Sequence, residues 1–224
     1  MTIQEAMRQR HTVRKYTDKP ISGELVEKLN ARIADNNQEH GLSLSLVTGN
    51  ADGLGVLAKM LGSGIKNYII LAGPDRSDLD EKLGYCGADM ILYAQTLGLN
   101  TWWVGGMFHA KGAQKNLDGA VRVNGVRVNG VLAIGYGQTQ GVPHRSKIAA
   151  EISSYNGSAP QWFLDGVDAL LLAPTALNKQ AFTVRGDKNR VSLTCGSGHF
   201  AGIDLGIGKY FFEAGAGKEN FVWA

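Results

Sequence analysis

The chain has only two cysteines, Cys86 and Cys195, in 224 residues. Two thiols cannot build a disulfide scaffold, and neither sits in the close Cys/His spacing that holds zinc, so those two small-domain classes are excluded and no metal site is expected. Long apolar runs are missing as well. Residues 169–173 form an unbroken apolar stretch, far short of the ~18 residues needed to span a membrane. Residues 1–8 have no apolar stretch behind their charges, which does not read as a signal peptide and leads us to expect a reduced, cytoplasmic setting. Charge of one sign is scarce too: 23 Lys and Arg face 20 Asp and Glu, for a net +3. No basic face with aromatic readers stands out, so neither a nucleic-acid nor a membrane partner is expected.

The usual catalytic signatures are also absent. Gly62-Ser63-Gly64 and Gly196-Ser197-Gly198 lack the flanking spacing of a nucleophile elbow. The five histidines, at 11, 40, 109, 144 and 199, show no HxxH-type spacing. Hydrolase and metalloenzyme readings therefore have little support. Chemistry carried by a bound organic cofactor leaves this kind of sparse record.

What the chain does have is glycine, 30 residues of it, nearly double the usual ~7%. Nucleotide loops are the obvious explanation, and they fail on counting. Gly202 and Gly208 are separated by five residues, and Tyr210 stands where a P-loop needs Ser or Thr. The run from Gly196 to Gly202 is one residue too long for a dinucleotide fingerprint. Both segments read better as helix-entry and packing glycines.

The periodicity predicts a mixed fold. Residues 3–9 read as a short helix, Pro20 stops the chain, and Ser22 opens a second helix with Leu25, Val26, Leu29 and Ile33 on one face. Leu/Ser alternation over 42–47 predicts a half-buried strand, and the apolar run 68–72 a central one. Residues 81–99 form the strongest helical pattern, apolar over most of the circumference. A strand at 102–104 runs into Gly105-Gly106, and another covers 126–136. The pentapeptide Val-Arg-Val-Asn-Gly occurs at 121 and again at 126, and its Asn-Gly predicts a hairpin fold-back. The last third offers a helix at 162–172, a loop at 173–180, a strand at 190–194 and an apolar helix at 203–214. The first half has the same order, with an Asn-Gln loop at 36–38. One architecture satisfies both halves: a sheet flanked by helices, approximately duplicated within one domain over 1–224. Its halves are 1–150 and 151–224.

Two basic clusters remain. In extended backbone Arg10, Thr12 and Arg14 point the same way, so two guanidiniums and a hydroxyl converge as they would on a phosphate. Arg145 and Lys147 share one side of a second extended segment. Either cluster alone also fits a solvated loop. Trp102, Trp103, Phe108 and Phe182 could line an aromatic pocket, although buried aromatics are more often core.

Taken together, these segments resemble the nitroreductase family of FMN-dependent flavoproteins. Residues 10–16, Arg-His-Thr-Val-Arg-Lys-Tyr, look like its R-x-S-x-R-x-F/Y signature. Residues 173–182, Ala-Pro-Thr-Ala-Leu-Asn-Lys-Gln-Ala-Phe, resemble its A-P-S-x-x-N-x-Q-P-W loop, with Ala181 and Phe182 in place of Pro and Trp. Gly98-Leu99 with Gly105-Gly106, and Gly135-Tyr136-Gly137 with Arg145 and Lys147, are similar to two further family segments. In ordinary members the Asn loop closely follows the N-terminal signature, and the site forms between two subunits of a homodimer. Here the loop comes late, so the chain resembles an intramolecular mimic of that dimer: a monomer could suffice, and a homodimer stays open.

The resemblance implies an α+β fold with a central, mostly antiparallel sheet flanked by helices, FMN as cofactor, NAD(P)H as hydride donor, and a nitroaromatic, quinone or similar small oxidised acceptor. It implies that Arg10, Thr12 and Arg14, with Arg145 and Lys147, hold the phosphate and ribityl chain. His11 would add backbone contacts or ring packing. Pro174, Thr175 and Asn178 would meet the flavin ring, Gly105 and Gly106 would bring backbone N–H groups to it, and Arg14 would stabilise its reduced form. No side chain is expected to do acid–base catalysis, since the flavin carries the chemistry and Arg14 and Gly106 tune it. Two other readings stand beside this one: a flavin-binding protein without turnover, and a plain αβ ligand-binding domain with solvated basic loops.

Overall fold

The computed structural model describes residues 1–117 and 125–224. The elements in chain order are helix α1 (Ile3–Gln9), helix α2 (Gly23–His40), strand β1 (Ser45–Val47), helix α3 (Val56–Leu61), strand β2 (Tyr68–Pro74), helix α4 (Leu79–Thr96) and strand β3 (Asn100–Val104). Then come helix α5 (Ala110–Lys115), strand β4 (Val126–Gly135), helix α6 (Ala149–Ile152), strand β5 (Ser153–Asn156) and helix α7 (Gln161–Leu170). Strand β6 (Phe182–Asp187), strand β7 (Arg190–Cys195), helix α8 (Ala201–Ala216) and strand β8 (Val222–Trp223) complete the chain. The first copy of the Val-Arg-Val-Asn-Gly repeat falls largely at 121–124, outside the described residues, so the expected fold-back has no structural description. The second copy opens β4.

Two compact units emerge. The first holds residues 9–79 and 90–143 with Met1, and the second holds 2–8, 80–89 and 144–224. The segment carrying Arg145 and Lys147, read from sequence with the first half, therefore groups with the second unit.

The first unit is built on an antiparallel sheet of order β1-β2-β4-β3. Its interior strands are apolar on both faces: Tyr68 to Gly73 of β2 and Gly130 to Gly135 of β4 are all buried. Register slips between Leu71 and Ala72, where Gly130 and Val128 are the partners, so one residue of β4 bulges out. Tyr16, Leu54, Tyr68, Ile70, Trp102 and Val131 are among the residues of the core on one face. Ser22 caps α2 through its side chain, which accepts from the Leu25 N–H at 3.4 Å, and Gly41 ends the helix in left-handed backbone (φ 63°).

Two expectations fail in this unit. The Asn-Gln loop at 36–38 does not exist, because those residues continue α2. Asn36 donates to the Arg32 carbonyl at 3.2 Å, and Asn37 makes two bonds to the Leu44 backbone, accepting from its N–H at 2.7 Å and donating to its C=O at 2.9 Å. These side chains hold the following segment and do not break the helix. The strand expected over 42–47 shrinks to Ser45–Val47, and burial changes phase: Leu42 and Leu44 are buried, as are Ser45 and Val47, while Leu46 is only half-buried.

The second unit has a different sheet, of order β5-β6-β7-β8. Its central pair is antiparallel, but β5 pairs parallel to β6 and β8 parallel to β7. These pairings do not repeat those of the first sheet, so the order of elements alone overstated the duplication. Burial alternates along β6, with Phe182, Val184 and Gly186 buried and Thr183, Arg185 and Asp187 exposed. One face thus packs inward and the other meets solvent.

Glycine sets how closely α8 can pack. A Cβ on Gly206 would collide with the Glu81 carbonyl of α4, and one on Gly84 would collide with the Ile203 carbonyl of α8. Two helices meet here backbone to backbone, as the packing reading of the glycines in residues 202–208 anticipated. Three of the four aromatic candidates are core or packed against it: Trp102 and Phe182 are buried, and Phe108 packs against the first unit's core, while Trp103 is half-buried. Among the described residues no helix is long and apolar enough to cross a membrane.

Candidate functional site

In the first unit the segment after α1 is extended and lies along the edge of β3. Val13 N–H donates to the Thr101 carbonyl at 3.1 Å, and Thr12 bridges Thr101 in parallel. Tyr16 N–H donates to Ser63 O at 2.9 Å, and Ser63 N–H returns a bond to Arg14 O at 3.0 Å. Val13 and Tyr16 anchor the segment, each only 3% exposed. Burial of the Tyr16 phenol raises its pKa well above the usual tyrosine range, so it stays neutral, and its hydroxyl donates to the Ala133 carbonyl at 3.3 Å.

Around these anchors the signature side chains take different environments. Thr12 and Arg14 are exposed and His11 half-buried, whereas Arg10 is 4% exposed. The Arg14 guanidinium lies over Trp102, 5.4 Å from the ring centroid, a cation–π contact that pins it beside β3. Gly105 and Gly106 follow directly after β3, half-buried and exposed. Gly135 and Gly137 make room for protein, not ligand: a Cβ on the first would press on the Tyr16 ring, and one on the second would meet Val13 and Asn100.

Arg10 is the anomaly. Among the described residues its Nε has no hydrogen-bond partner, although the atom is fully buried. Desolvation lowers its pKa from 12.5 to about 10. No carboxylate pairs with Arg10, Arg14, Arg145 or Lys147 among the described residues. A buried guanidinium without a counter-ion is costly to fold around, which makes it a marker of an anion site.

In the second unit the structure brings the second basic cluster and the Asn loop together. Asn178 Nδ2 donates to the Arg145 carbonyl at 2.8 Å. The Lys147 N–H donates to Gln180 Oε1 at 2.7 Å, while Gln180 Nε2 donates to the Leu171 carbonyl at 2.7 Å. Gln180 is 1% exposed and staples residues 144–147 to the loop. Arg145 and Asn178 are exposed, whereas Lys147, Pro174 and Thr175 are half-buried. The loop is strained: Leu177, Asn178 and Gln180 have φ of 53°, 54° and 42°. Left-handed backbone costs a non-glycine residue roughly 1 kcal/mol or more, and it persists only where surrounding bonds over-determine it.

Those bonds come from within the loop and from α8. Gln180 N–H donates to Thr175 Oγ1 at 3.0 Å, and Asn178 N–H donates to Thr175 O at 3.0 Å. Ala176 N–H donates to the Asp204 carboxylate, at 3.0 Å to Oδ1 and 3.2 Å to Oδ2. Burial raises the Asp204 pKa to about 6, against the opposing pull of the Ala176 N–H and Lys179. Neither Gln180 nor Asp204 was assigned a role from sequence. Gln180 was visible only as a motif letter; Asp204 carried one signal, a lone acid in an otherwise apolar stretch of helix.

The family model described as "Putative TM nitroreductase" matches residues 2–216. The chain belongs to this family. Nitroreductase membership covers nearly its whole length and makes it, in general terms, an oxidoreductase. Among solved structures, a putative nitroreductase from Thermotoga maritima MSB8 is similar at 17% identity, with a TM-score of 0.68 over 98% of this chain and 85% of that one. A putative nitroreductase from Desulfovibrio desulfuricans, crystallised with FMN, matches at 18% identity and a TM-score of 0.51, over 71% of this chain and 98% of that one. A putative NADH dehydrogenase/NAD(P)H nitroreductase from Parabacteroides distasonis matches at 21% identity and a TM-score of 0.50, over 67% and 95%. At these identities the likeness speaks for the fold, which is the nitroreductase α+β fold. No curated protein matches the sequence.

Proposed function

We propose that this nitroreductase binds FMN and is an oxidoreductase that takes hydride from NADH or NADPH and reduces a nitroaromatic, quinone or similar small acceptor. The observation that carries the reading is Arg10, a buried guanidinium whose Nε lacks a partner and which faces no carboxylate among the described residues. A phosphate dianion is the ligand such a group fits, because it supplies both the missing acceptor and the missing counter-charge. The FMN held by the Desulfovibrio relative carries such a phosphate.

The residue roles in this proposal follow the family pattern. Arg10, Thr12 and Arg14, with Arg145 and Lys147, bind the phosphate and ribityl chain, and His11 contributes backbone contacts or ring packing. Pro174, Thr175 and Asn178 orient the ring, and the backbone of Gly105 and Gly106 approaches it. Bound FMN supplies the hydride and two-electron chemistry. Arg14, held over Trp102, offsets negative charge at the ring, the fixed electrostatic help such chemistry needs.

Titration of the purified protein with FMN, followed by visible absorbance and by light scattering, tests binding and stoichiometry. Anaerobic addition of NADH or NADPH then tests turnover. A protein that is colourless and takes up no added FMN would end the flavin reading. Bound flavin that neither NADH nor NADPH bleaches would leave a binding protein without this activity. Unchanged affinity in the double variant Arg10→Ala, Arg145→Ala would overturn the phosphate assignment.

A further inference from the structure

The chemistry proposed above needs no side-chain acid, yet α8 carries a buried carboxylate aimed at the Asn loop. Asp204 is 6% exposed and lies in the first turn of α8. Its two oxygens share one backbone donor, the N–H of Ala176. The next residues, Leu177 and Asn178, are both left-handed, and Leu177 is 88% exposed, so no packing of its own side chain explains its backbone. Ala176 is thus held from outside the loop immediately before the two left-handed residues, and beyond them Asn178 reaches the Arg145 carbonyl and Gln180 the Lys147 N–H.

We propose that Asp204 is a positioning residue for the flavin-binding loop: its ionised carboxylate, by holding Ala176, sets the left-handed turn that presents Asn178 and locks the 144–147 segment. The proposal rests on the flavin reading and names the device that shapes that site. It also predicts a pH dependence. An ionised carboxylate accepts from Ala176 with full charge on both oxygens, whereas the protonated acid is a weaker acceptor. Burial places this change near pH 6. The other ionisable groups around Asp204 are Lys179 on the loop, the Cys195 thiol on β7 with Lys147 beyond it, and Asp80 of α4, which lies against Gly202. The Cys195 thiol is itself pushed up to about 11 by burial and by Asp204, so it stays neutral through this range.

The test compares FMN affinity from pH 5 to pH 8 in wild type, Asp204→Asn and Asp204→Ala, with amide exchange of residues 175–180 measured in the absence of FMN. The FMN phosphate takes up its own proton near pH ~6, so the deciding quantity is the difference between the wild-type and Asp204→Asn profiles. Wild type is expected to lose roughly tenfold more affinity than Asp204→Asn between pH 7.5 and 5, one factor of ten per 1.4 kcal/mol of lost tether. Asp204→Ala should bind at least tenfold more weakly at pH 7.5, and its loop amides should exchange faster. Superimposable wild-type and Asp204→Asn profiles, or wild-type affinity in Asp204→Ala, would overturn the proposal. If wild type binds no FMN, the flavin reading fails instead. Exchange then decides the role of Asp204: faster exchange of residues 176–180 in Asp204→Ala supports it, and unchanged exchange refutes it.

Discussion

Replacing Arg10 by Met should make the FMN-free protein more stable while weakening its affinity for FMN. The side chain is 4% exposed, and burial lowers its pKa from 12.5 to about 10. That depression corresponds to about 3 kcal/mol of native-state cost for keeping the guanidinium charged. The folded pKa lies below the unfolded one, so the cost is present at every pH below about 10 and disappears only above it. Methionine keeps an unbranched apolar stem and removes both the charge and the orphaned Nε. Some packing is lost, which leaves a net gain of about 2 kcal/mol. For a chain of this size that is a rise in Tm of roughly 4–8 °C. FMN should reverse the order: at a concentration of 100 Kd it stabilises wild type by about 2.7 kcal/mol, and the variant, having lost a buried charged partner, should bind on the order of a hundredfold more weakly. Differential scanning fluorimetry with and without FMN, supported by urea titrations, measures both effects. A variant less stable than wild type without FMN, or equal FMN shifts in the two proteins, would refute the argument that Arg10 is held uncompensated for an anion.

Four other outcomes are expected. Asp204 has a folded pKa raised to about 6, so its stabilising contribution is complete below its unfolded pKa and is lost as pH rises through 6; urea titrations should show Asp204→Asn matching wild type near pH 4 and exceeding it by about 2 kcal/mol at pH 7.5. Gly206→Ala puts a methyl into the Glu81 carbonyl and should destabilise by about 3 kcal/mol, read as a fall in Tm, because a backbone contact cannot yield as a side chain can. Gln180→Ala removes the acceptor of the Lys147 N–H, while the Leu171 carbonyl keeps the Ser146 hydroxyl, and it should cost about 2 kcal/mol in urea and weaken FMN binding. The Cys195 thiol, with its pKa raised from 9.0 to about 11, should alkylate roughly a hundredfold more slowly than a free thiol at pH 8, as followed by mass spectrometry.

Some of these features were legible in the residues and others were not. The Ser22 cap, the apolar circumference of α4 and the apolar run of β2 are local patterns, and the structure keeps all three. Asn36 and Asn37 misled because a pair of asparagines reads as a loop in isolation. Inside α2 their amides find partners in the Arg32 carbonyl and the Leu44 backbone, and tertiary context overrides the turn propensity. Of the second sheet only β7 was expected, and β5, β6 and β8 went unseen. Strand β5 is the polar tetrapeptide Ser153–Asn156 and β8 is two residues long, so neither has a periodicity to detect. The site was partly legible. Basic residues at alternate positions and a Pro-Thr-x-x-Asn loop are sequence facts, whereas the burial of Arg10 and the tether from Asp204 depend on what folds against them.

By itself the sequence determined the class: a mixed helix and strand chain without metal or nucleophile signatures, carrying two basic clusters and a late Asn loop that resemble nitroreductase segments. It could do so because caps, hydrophobic period and motif spacing act over a few residues of contiguous chain. Only the tertiary structure decided that Arg10 is a buried cation without a counter-ion and that Gln180 joins residues 144–147 to the loop. It alone decided that a carboxylate 28 positions from Ala176 holds the loop's left-handed turn. Those properties arise from desolvation and from hydrogen bonds between distant segments, and no local pattern encodes them.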